Sequence, residues 1–570
     1  MRHAFLVVFL MSAILVAYQL RSSITVMFAR PPSVEGEALP PNTDNDNNGV
    51  EMEKKVVMMP VKPTFAFGEK FPAIERTVFT KKPPGGWVDK DGRRVVEGKQ
   101  RVRMNAENVK KTISSSFISG LERAANAQRQ VLISIVDHGF LDFAVNFKEV
   151  SIDRLNISNF LLVCTDKRSH LELNLLGVPC SLHQYGNAAS DMASDFGTAA
   201  YYEKTNVKTA IVIQALSLGY TVLVVDLDVI LFRDPFPHFP CEECDIHFQM
   251  DRDLYNSGFV YVRPTPAAQA LYNAAWNLYV KYQRAHDQAY INMAVKVLSE
   301  KHRLPKIHSL STQTFQCGVY YFEHGNRMFE NKPTCEKCVM AHNNYLGSTA
   351  AKVYRFRENF MWMVDNGAYY SNVSARYLMY ENPFDFGLET RQREVEALKS
   401  ALVLATVMNR LVILPTFRCC TCNSRVECSH PMHRCPLLSV LRLKPFDEAF
   451  HELYREHVFL KHPKVPPEVS TQRSPCLFIN SSLVASNNIS DDCRIFQPSN
   501  SEDGATIEEM EKWFGPYENV SVLHFHSLYG AHSSKQFDRD KRLSKLKQLM
   551  TEEAFKCSEY EQWDESAFKF

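Results

Sequence analysis

The run Thr221-Val222-Leu223-Val224-Val225-Asp226-Leu227-Asp228 constrains this 570-residue chain more than any other stretch. Four consecutive apolar β-formers read as a buried strand, and the strand delivers two carboxylates, one residue apart, to its end. In an extended backbone residues i and i+2 face the same side, so Asp226 and Asp228 can converge on one cation while Leu227 turns back into the protein. Oxygen ligands of this kind suit Mn²⁺ or Mg²⁺, and such an ion at the carboxyl end of a strand commonly carries a diphosphate. An isolated Asp-x-Asp is also found in capped turns and at structural ions, so its surroundings must decide.

The ends of the chain bear on where it works. Residues 4–20 carry no charge between the short basic tail 1–3 and Arg21, a length at the lower end of the roughly 17 to 25 residues of a spanning helix. The segment is expected to be a signal anchor with the tail in the cytosol and the remainder in the lumen, a cleaved signal peptide being the alternative. Five Asn-x-Ser sequons, at Asn156, Asn372, Asn480, Asn488 and Asn519, all fall on the luminal side. In an oxidising lumen the pairs Cys241/Cys244 and Cys335/Cys338 are expected as disulfides rather than zinc ligands. In the cluster Cys419, Cys420, Cys422, Cys428, His430, His433 and Cys435, which would suggest zinc more strongly in a cytosolic protein, the cysteines are likewise expected as disulfides. With 15 cysteines, at least one thiol is left over in the absence of a metal. A formal charge of +1 argues against an electrostatic nucleic-acid binder.

Residues 21–111 are rich in Pro, Asn, Gly and charge and read as a flexible stem, because such a segment buries too little apolar surface to offset its chain entropy. From about 127 to 365, short apolar runs alternate with helical stretches, the pattern of an α/β domain with a mostly parallel, Rossmann-type sheet. Strands are predicted at 131–136, 160–164, 246–250 and 259–262, and helices at about 198–218, 267–283 and 287–298. A second α/β region, cysteine-rich, is expected over 366–570, with a helix from about 389 to 409 leading into the strand 411–414. A last strand, at about 520–525, carries His524 and leads into His526, both expected to be structural or at the surface.

The Asp226/Asp228 pair gains its meaning from an ordered set of motifs. Gly219 to Val229 is followed by Arg233-Asp234-Pro235, Asn256-Ser257-Gly258-Phe259, Arg263-Pro264-Thr265, Asp287-Gln288, and His342-Asn343-Asn344-Tyr345 with Gly347 and Lys352. Over residues 127 to 365 this set resembles the nucleotide-diphospho-sugar transferase domain of glycosyltransferase family 77, which includes plant xylosyl- and arabinosyltransferases. The resemblance implies a GT-A fold and a retaining, metal-dependent transfer from a UDP-sugar, whether galactose, xylose or arabinose, to a glycan or glycoprotein, with the enzyme anchored in the Golgi membrane. It implies Asp226, Asp228 and His342 as Mn²⁺ ligands. Lys352 and Gly347 would lie at the donor phosphates, Lys208 at the donor sugar, and Asn256, Asp287 and Gln288 around the reacting carbon. Glutamine is a poor nucleophile, so front-face displacement is expected over a covalent intermediate. A metal-dependent hydrolase would need further acidic and histidine ligands. A non-catalytic glycan-binding or scaffold protein on the same fold is the remaining alternative.

Overall fold

The computed structural model describes residues 87–88, 94–95, 105–183, 199–323, 335–383, 389–418, 434–480, 492–500, 504–532 and 541–556. The apolar segment 4–20, most of the stem, Asn488, and every member of the cysteine cluster except Cys435 lie outside the described residues. Among the described residues, no helix is long and apolar enough to cross a membrane. The chain divides into two compact units, residues 1–74 with Asn366–Tyr369 and residues 75–365 with 370–570. The smaller contributes only the short segment Asn366–Tyr369 to the described residues. Everything below concerns the larger.

Its first sheet has seven strands. In chain order they are β1 (Gln130–Val136), β2 (Phe160–Cys164), β3 (Cys180–Leu182), β4 (Thr221–Val225), β6 (Ile246–Asp251), β7 (Leu254–Val262) and β8 (Ile307–Ser309), with β5 (Val229–Leu231) belonging elsewhere. The spatial order is β8-β6-β7-β4-β1-β2-β3, and every neighbouring pair is parallel except the two made by β7. The expected mostly parallel α/β sheet is therefore present. Val222 to Val225 are at most 2% exposed, and each such side chain contributes roughly 1.5–3 kcal/mol relative to exposure. Helices α1 (Ser115–Ala124), α4 (Ala199–Ser217), α5 (Pro266–Tyr282) and α6 (Asp287–Glu300) cover the sheet, α2 (Leu141–Phe147) and α3 (Lys167–Leu175) lying between its first strands in sequence. Helix α4 gives way to β4 through Gly219, whose φ of 80° costs a glycine nothing. Helix α5 starts on Thr265, which caps Ala268 N–H, with Pro266 in the first turn, where the missing N–H is not needed. The packed region reaches back to Ala106 and Val109, both buried in this core, so the last residues of the expected stem belong to the fold.

A three-stranded sheet, β9 (Phe315–Gln316), β10 (Met340–His342) and β5, sits beside the first. Strand β10 runs antiparallel to β5 in a register that pairs His342 with Val229, the residue after Asp228. That register carries a histidine across more than a hundred residues of sequence to the Asp-x-Asp turn.

The C-terminal α/β region is built on a six-stranded sheet of β11 (Tyr377–Tyr380), β12 (Leu411–Ile413), β13 (Tyr454–Arg455), β14 (Arg473–Ile479), β15 (Arg494–Phe496) and β16 (Val522–Phe525). It is wholly parallel, in the order β13-β12-β11-β16-β14-β15. Helices α8 (Thr390–Val407), α9 (Leu443–Phe450), α10 (Ile507–Phe514) and α11 (Lys541–Leu549) share its core. Helix α7 (Thr349–Glu358), which precedes the expected boundary at 366, puts Ala351 and Tyr354 into that same core. The connecting segment is gripped from both sides. Asn146 donates to Met361 O and accepts from Met363 N, while His462 lies 3.1 Å from Trp362 O.

Cys241–Cys244 and Cys335–Cys338 are disulfides, as expected, and Cys164–Cys180 and Cys476–Cys493 add two more. Cys435 is also disulfide-bonded, and Cys317 is buried. His524 pairs with Glu381 at 2.9 Å.

Candidate active site

Strand β4 ends at Val225, so Asp226 and Asp228 do not stand on an extended strand as the spacing predicts. They flank a tight turn into β5, closed by Val229 N donating to Asp226 O. The reason is local pairing: Asp226 N bonds to Gly258 O on β7, whereas Asp228 O accepts from Asn343 N beyond β10, and the two sheets pull the chain in different directions. The carboxylates converge all the same. One ligand atom each from Asp226, Asp228 and His342 lies within 4.8 Å of the others.

Each member of this trio is held by neighbours. His342 Nδ1 is 3.1 Å from Gln249 Oε1, a contact that fixes the ring with its Nε2 3.3 Å from Asp228 Oδ1. Asp228 also receives Lys352 Nζ at 2.6 Å, from the first turn of α7. Burial alone would raise the Asp228 pKa, but Lys352 and His342 outweigh it and hold the carboxyl well below the usual carboxylate range. Asp226 meets Lys208 Nζ at 2.8 Å, and the same ammonium reaches Asp287 Oδ2 at 3.0 Å. Burial favours the neutral form of Lys208, yet the two carboxylates keep it charged. Gly258 passes so close beneath the trio that a Cβ would lie 2.5 Å from both Asp226 Oδ2 and His342 Cε1.

A second cluster adjoins the first. Asp251, the last residue of β6, accepts from Gln288 Nε2 at 3.2 Å, Asn256 Nδ2 at 3.4 Å and Asn344 Nδ2 at 3.4 Å, and from the Tyr345 hydroxyl. Gln288 Oε1 accepts from Ser257 N, and Asn256 Oδ1 from Gly258 N. The residues expected from the sequence thus fall into three linked groups: Asp228 with His342 and Lys352, Asp226 with Asp287 through Lys208, and Asn256 with Gln288 through Asp251. Gly347 stands apart, with nothing within 4 Å of an added Cβ. Sequence reasoning missed Gln249 and Asp251. The available signal was a polar residue inside the apolar strand Ile246–Met250 and an acid at its end.

The donor set of two carboxylates and an imidazole fits a divalent cation. Asp226, Asp228 and the His342 Nε2 would hold it.

Residues 155–356 match the family model described as nucleotide-diphospho-sugar transferase. That segment is a domain of this family. Among named relatives, the chain is 28% identical over 207 residues to a UDP-D-xylose:L-fucose alpha-1,3-D-xylosyltransferase of Arabidopsis thaliana, covering 31% of this chain and 55% of that one. A beta-arabinofuranosyltransferase of the same plant is 25% identical over 272 residues, 43% and 50% of the two chains. A UDP-galactose:fucoside alpha-3-galactosyltransferase of Dictyostelium discoideum is 22% identical over 288 residues, 41% and 43%. The chain thus spans about half the length of these curated relatives. Among solved structures, the galactosyltransferase LgtC with donor and acceptor sugar analogs is 11% identical at a TM-score of 0.25, covering 37% of this chain and 86% of the other. GlyE of Streptococcus pneumoniae is 12% identical at a TM-score of 0.28, covering 75% and 100%.

Proposed function

We propose that this chain is a metal-dependent, retaining glycosyltransferase that moves a pentose or hexose from a UDP-sugar to a glycan or glycoprotein. The observation that carries the reading is the convergence of Asp226, Asp228 and His342 on one point beside Asp287 and Gln288. A bound Mn²⁺ or Mg²⁺ supplies charge neutralisation for the departing nucleoside diphosphate. The chain's own residues do the rest. Lys352 stands where it can add a positive charge to the phosphates, and its pairing with Asp228 keeps it there in the absence of donor. Lys208 and Asp287 fix the side chain of Asp226 and face the donor sugar. Gln288 and Asn256, fixed by Asp251, present amide dipoles to the developing positive charge at the anomeric carbon.

In this reading the bond from the anomeric carbon to the diphosphate oxygen breaks as the acceptor oxygen bonds the same face of that carbon, and the acceptor's proton passes to the leaving phosphate. Gln288, the side chain placed nearest that carbon in this reading, is a poor nucleophile, which favours front-face displacement over a covalent intermediate. The named relatives supply the donors to try first: UDP-xylose, UDP-galactose and a UDP-arabinose. The apolar run at residues 4–20 and the disulfides support placement of the catalytic region in the Golgi lumen on an N-terminal anchor.

The test is release of UDP from each donor by the full-length chain, with and without Mn²⁺. Metal-dependent release with at least one donor is expected. Tight donor binding with no release from any donor, in the presence of candidate acceptors, would replace the enzyme by a sugar-nucleotide-binding scaffold.

A further inference from the structure

At the mouth of the site, two large side chains occupy backbone positions that ordinarily favour glycine. Arg252, the first loop residue of the two-residue hairpin between β6 and β7, has a φ of 56°, and Tyr345, three residues after His342, has a φ of 63°. Such conformations cost a non-glycine residue on the order of 1 kcal/mol or more. The two are placed against each other, with the Arg252 guanidinium carbon 5.4 Å from the centre of the Tyr345 ring. Tyr345 remains 39% exposed, while its hydroxyl reaches back to Asp251, the carboxylate that also holds Gln288 and Asn256. An exposed aromatic surface is therefore tied by one hydrogen bond to the groups facing the reacting carbon.

Resting on the transferase reading above, we propose that Tyr345 and Arg252 form the acceptor subsite and that the acceptor is a saccharide. A sugar ring has a C–H face that packs on an aromatic plane and an O–H edge that needs hydrogen-bonding groups beside it. One exposed ring among Asp251, Asn344 and Arg252 supplies both. A lipid acceptor would need a continuous apolar surface, and a peptide acceptor would need an extended groove or a sheet edge. Tyr345 is the platform and Asp251 a positioning residue, since its oxygens already accept from four donors.

The experiment uses the full-length chain with Mn²⁺ and its best donor. The acceptors offered are methyl glycosides of fucose, galactose and xylose, a hydroxyl-bearing peptide and a long-chain alcohol. Transfer to a methyl glycoside is expected. Tyr345→Ala should raise the acceptor KM about tenfold, while the donor KM, read from hydrolysis without acceptor, shifts by less than about threefold. Tyr345→Phe keeps the ring and should hold the acceptor KM near the wild-type value while lowering kcat, because Asp251 loses a donor. Saturation-transfer NMR of the methyl glycosides, with UDP and Mn²⁺ present, reads acceptor binding independently of turnover. Binding in the wild type that is lost in Tyr345→Ala supports the subsite even if no donor is turned over, an outcome that would count against the transferase reading alone. Transfer to the peptide or the alcohol instead, equal effects of Tyr345→Ala on donor and acceptor KM, or no saccharide binding to the wild type would overturn the proposal.

Discussion

A Cβ at position 258 would lie 2.5 Å from Asp226 Oδ2 and 2.5 Å from the His342 ring, and neither neighbour is free to retreat. Asp226 is pinned by Lys208, and His342 by Gln249. Gly258→Ala should therefore weaken Mn²⁺ binding by about tenfold or more, as seen when supporting residues of metal sites are disturbed, with a smaller effect on the unfolding midpoint. Calorimetric Mn²⁺ titration beside a thermal melt separates the two, and wild-type affinity would show that the backbone yields more easily than the structure indicates. Asp228→Asn replaces a charged ligand by a neutral amide and should cut UDP release by roughly a hundredfold or more at saturating donor. Undiminished release would remove Asp228 from the metal site. Asp226, Asp228 and His342 were legible because their motifs are local in sequence. Gln249 and Asp251 were not, because a buried polar residue on a strand reveals its purpose only through partners such as His342 and Gln288, which lie far away in the chain.

Among elements, the long ones could be read directly. The sequence pattern predicts β1, β2, β4 and helices α4 to α6 to within a few residues, since each shows several periods of apolar spacing. Strands β3, β5 and β8, at three residues each, show less than two periods and left no signal, although β5 is what aligns His342 with Asp228. The link between the sheets is equally invisible in sequence, and it rests partly on His462. This ring stacks on Tyr370 at 3.7 Å, accepts from Lys464 N through Nδ1 and faces Trp362 O through Nε2. Burial pushes its pKa down to about 4, with Lys464 and Arg357 adding to the effect and the Trp362 carbonyl and Asp365 opposing it. A histidine whose folded pKa lies below its unfolded value gives full stability above about pH 6.5 and loses it as pH falls toward 4. The unfolding midpoint should therefore drop between pH 7 and pH 4.5, and His462→Gln should be less stable at pH 7 but show a shallower decline. Parallel declines in the two proteins would assign the acid sensitivity to other groups.

For the whole molecule, the sequence pattern sufficed to anticipate two α/β regions, but not how they interlock. One helix joins the second core to the candidate site. Helix α7 sends Lys352 to Asp228 from one side and Ala351 and Tyr354 into the C-terminal core from the other. A shortened chain ending at residue 365 should lose donor affinity by at least about tenfold or fail to remain soluble, because the apolar side of α7 would be left uncovered. Full UDP release by such a chain would show that the C-terminal sheet is dispensable to the donor site.

Because Lys352 and Tyr354 share one helix, the proposed function makes occupancy of the donor site and the stability of the distant sheet thermodynamically linked. If the packed C-terminal sheet favours donor binding, then bound donor must favour the packed sheet by the same free energy. Backbone amides of β11, β12 and α8, far from any phosphate, should exchange with solvent more slowly once UDP and Mn²⁺ are bound. Ligand-induced protection confined to the first sheet would mean that the helix transmits no such effect. Protection reaching the second sheet would make the C-terminal region a reporter of donor occupancy, and anything that docks there a modulator of it.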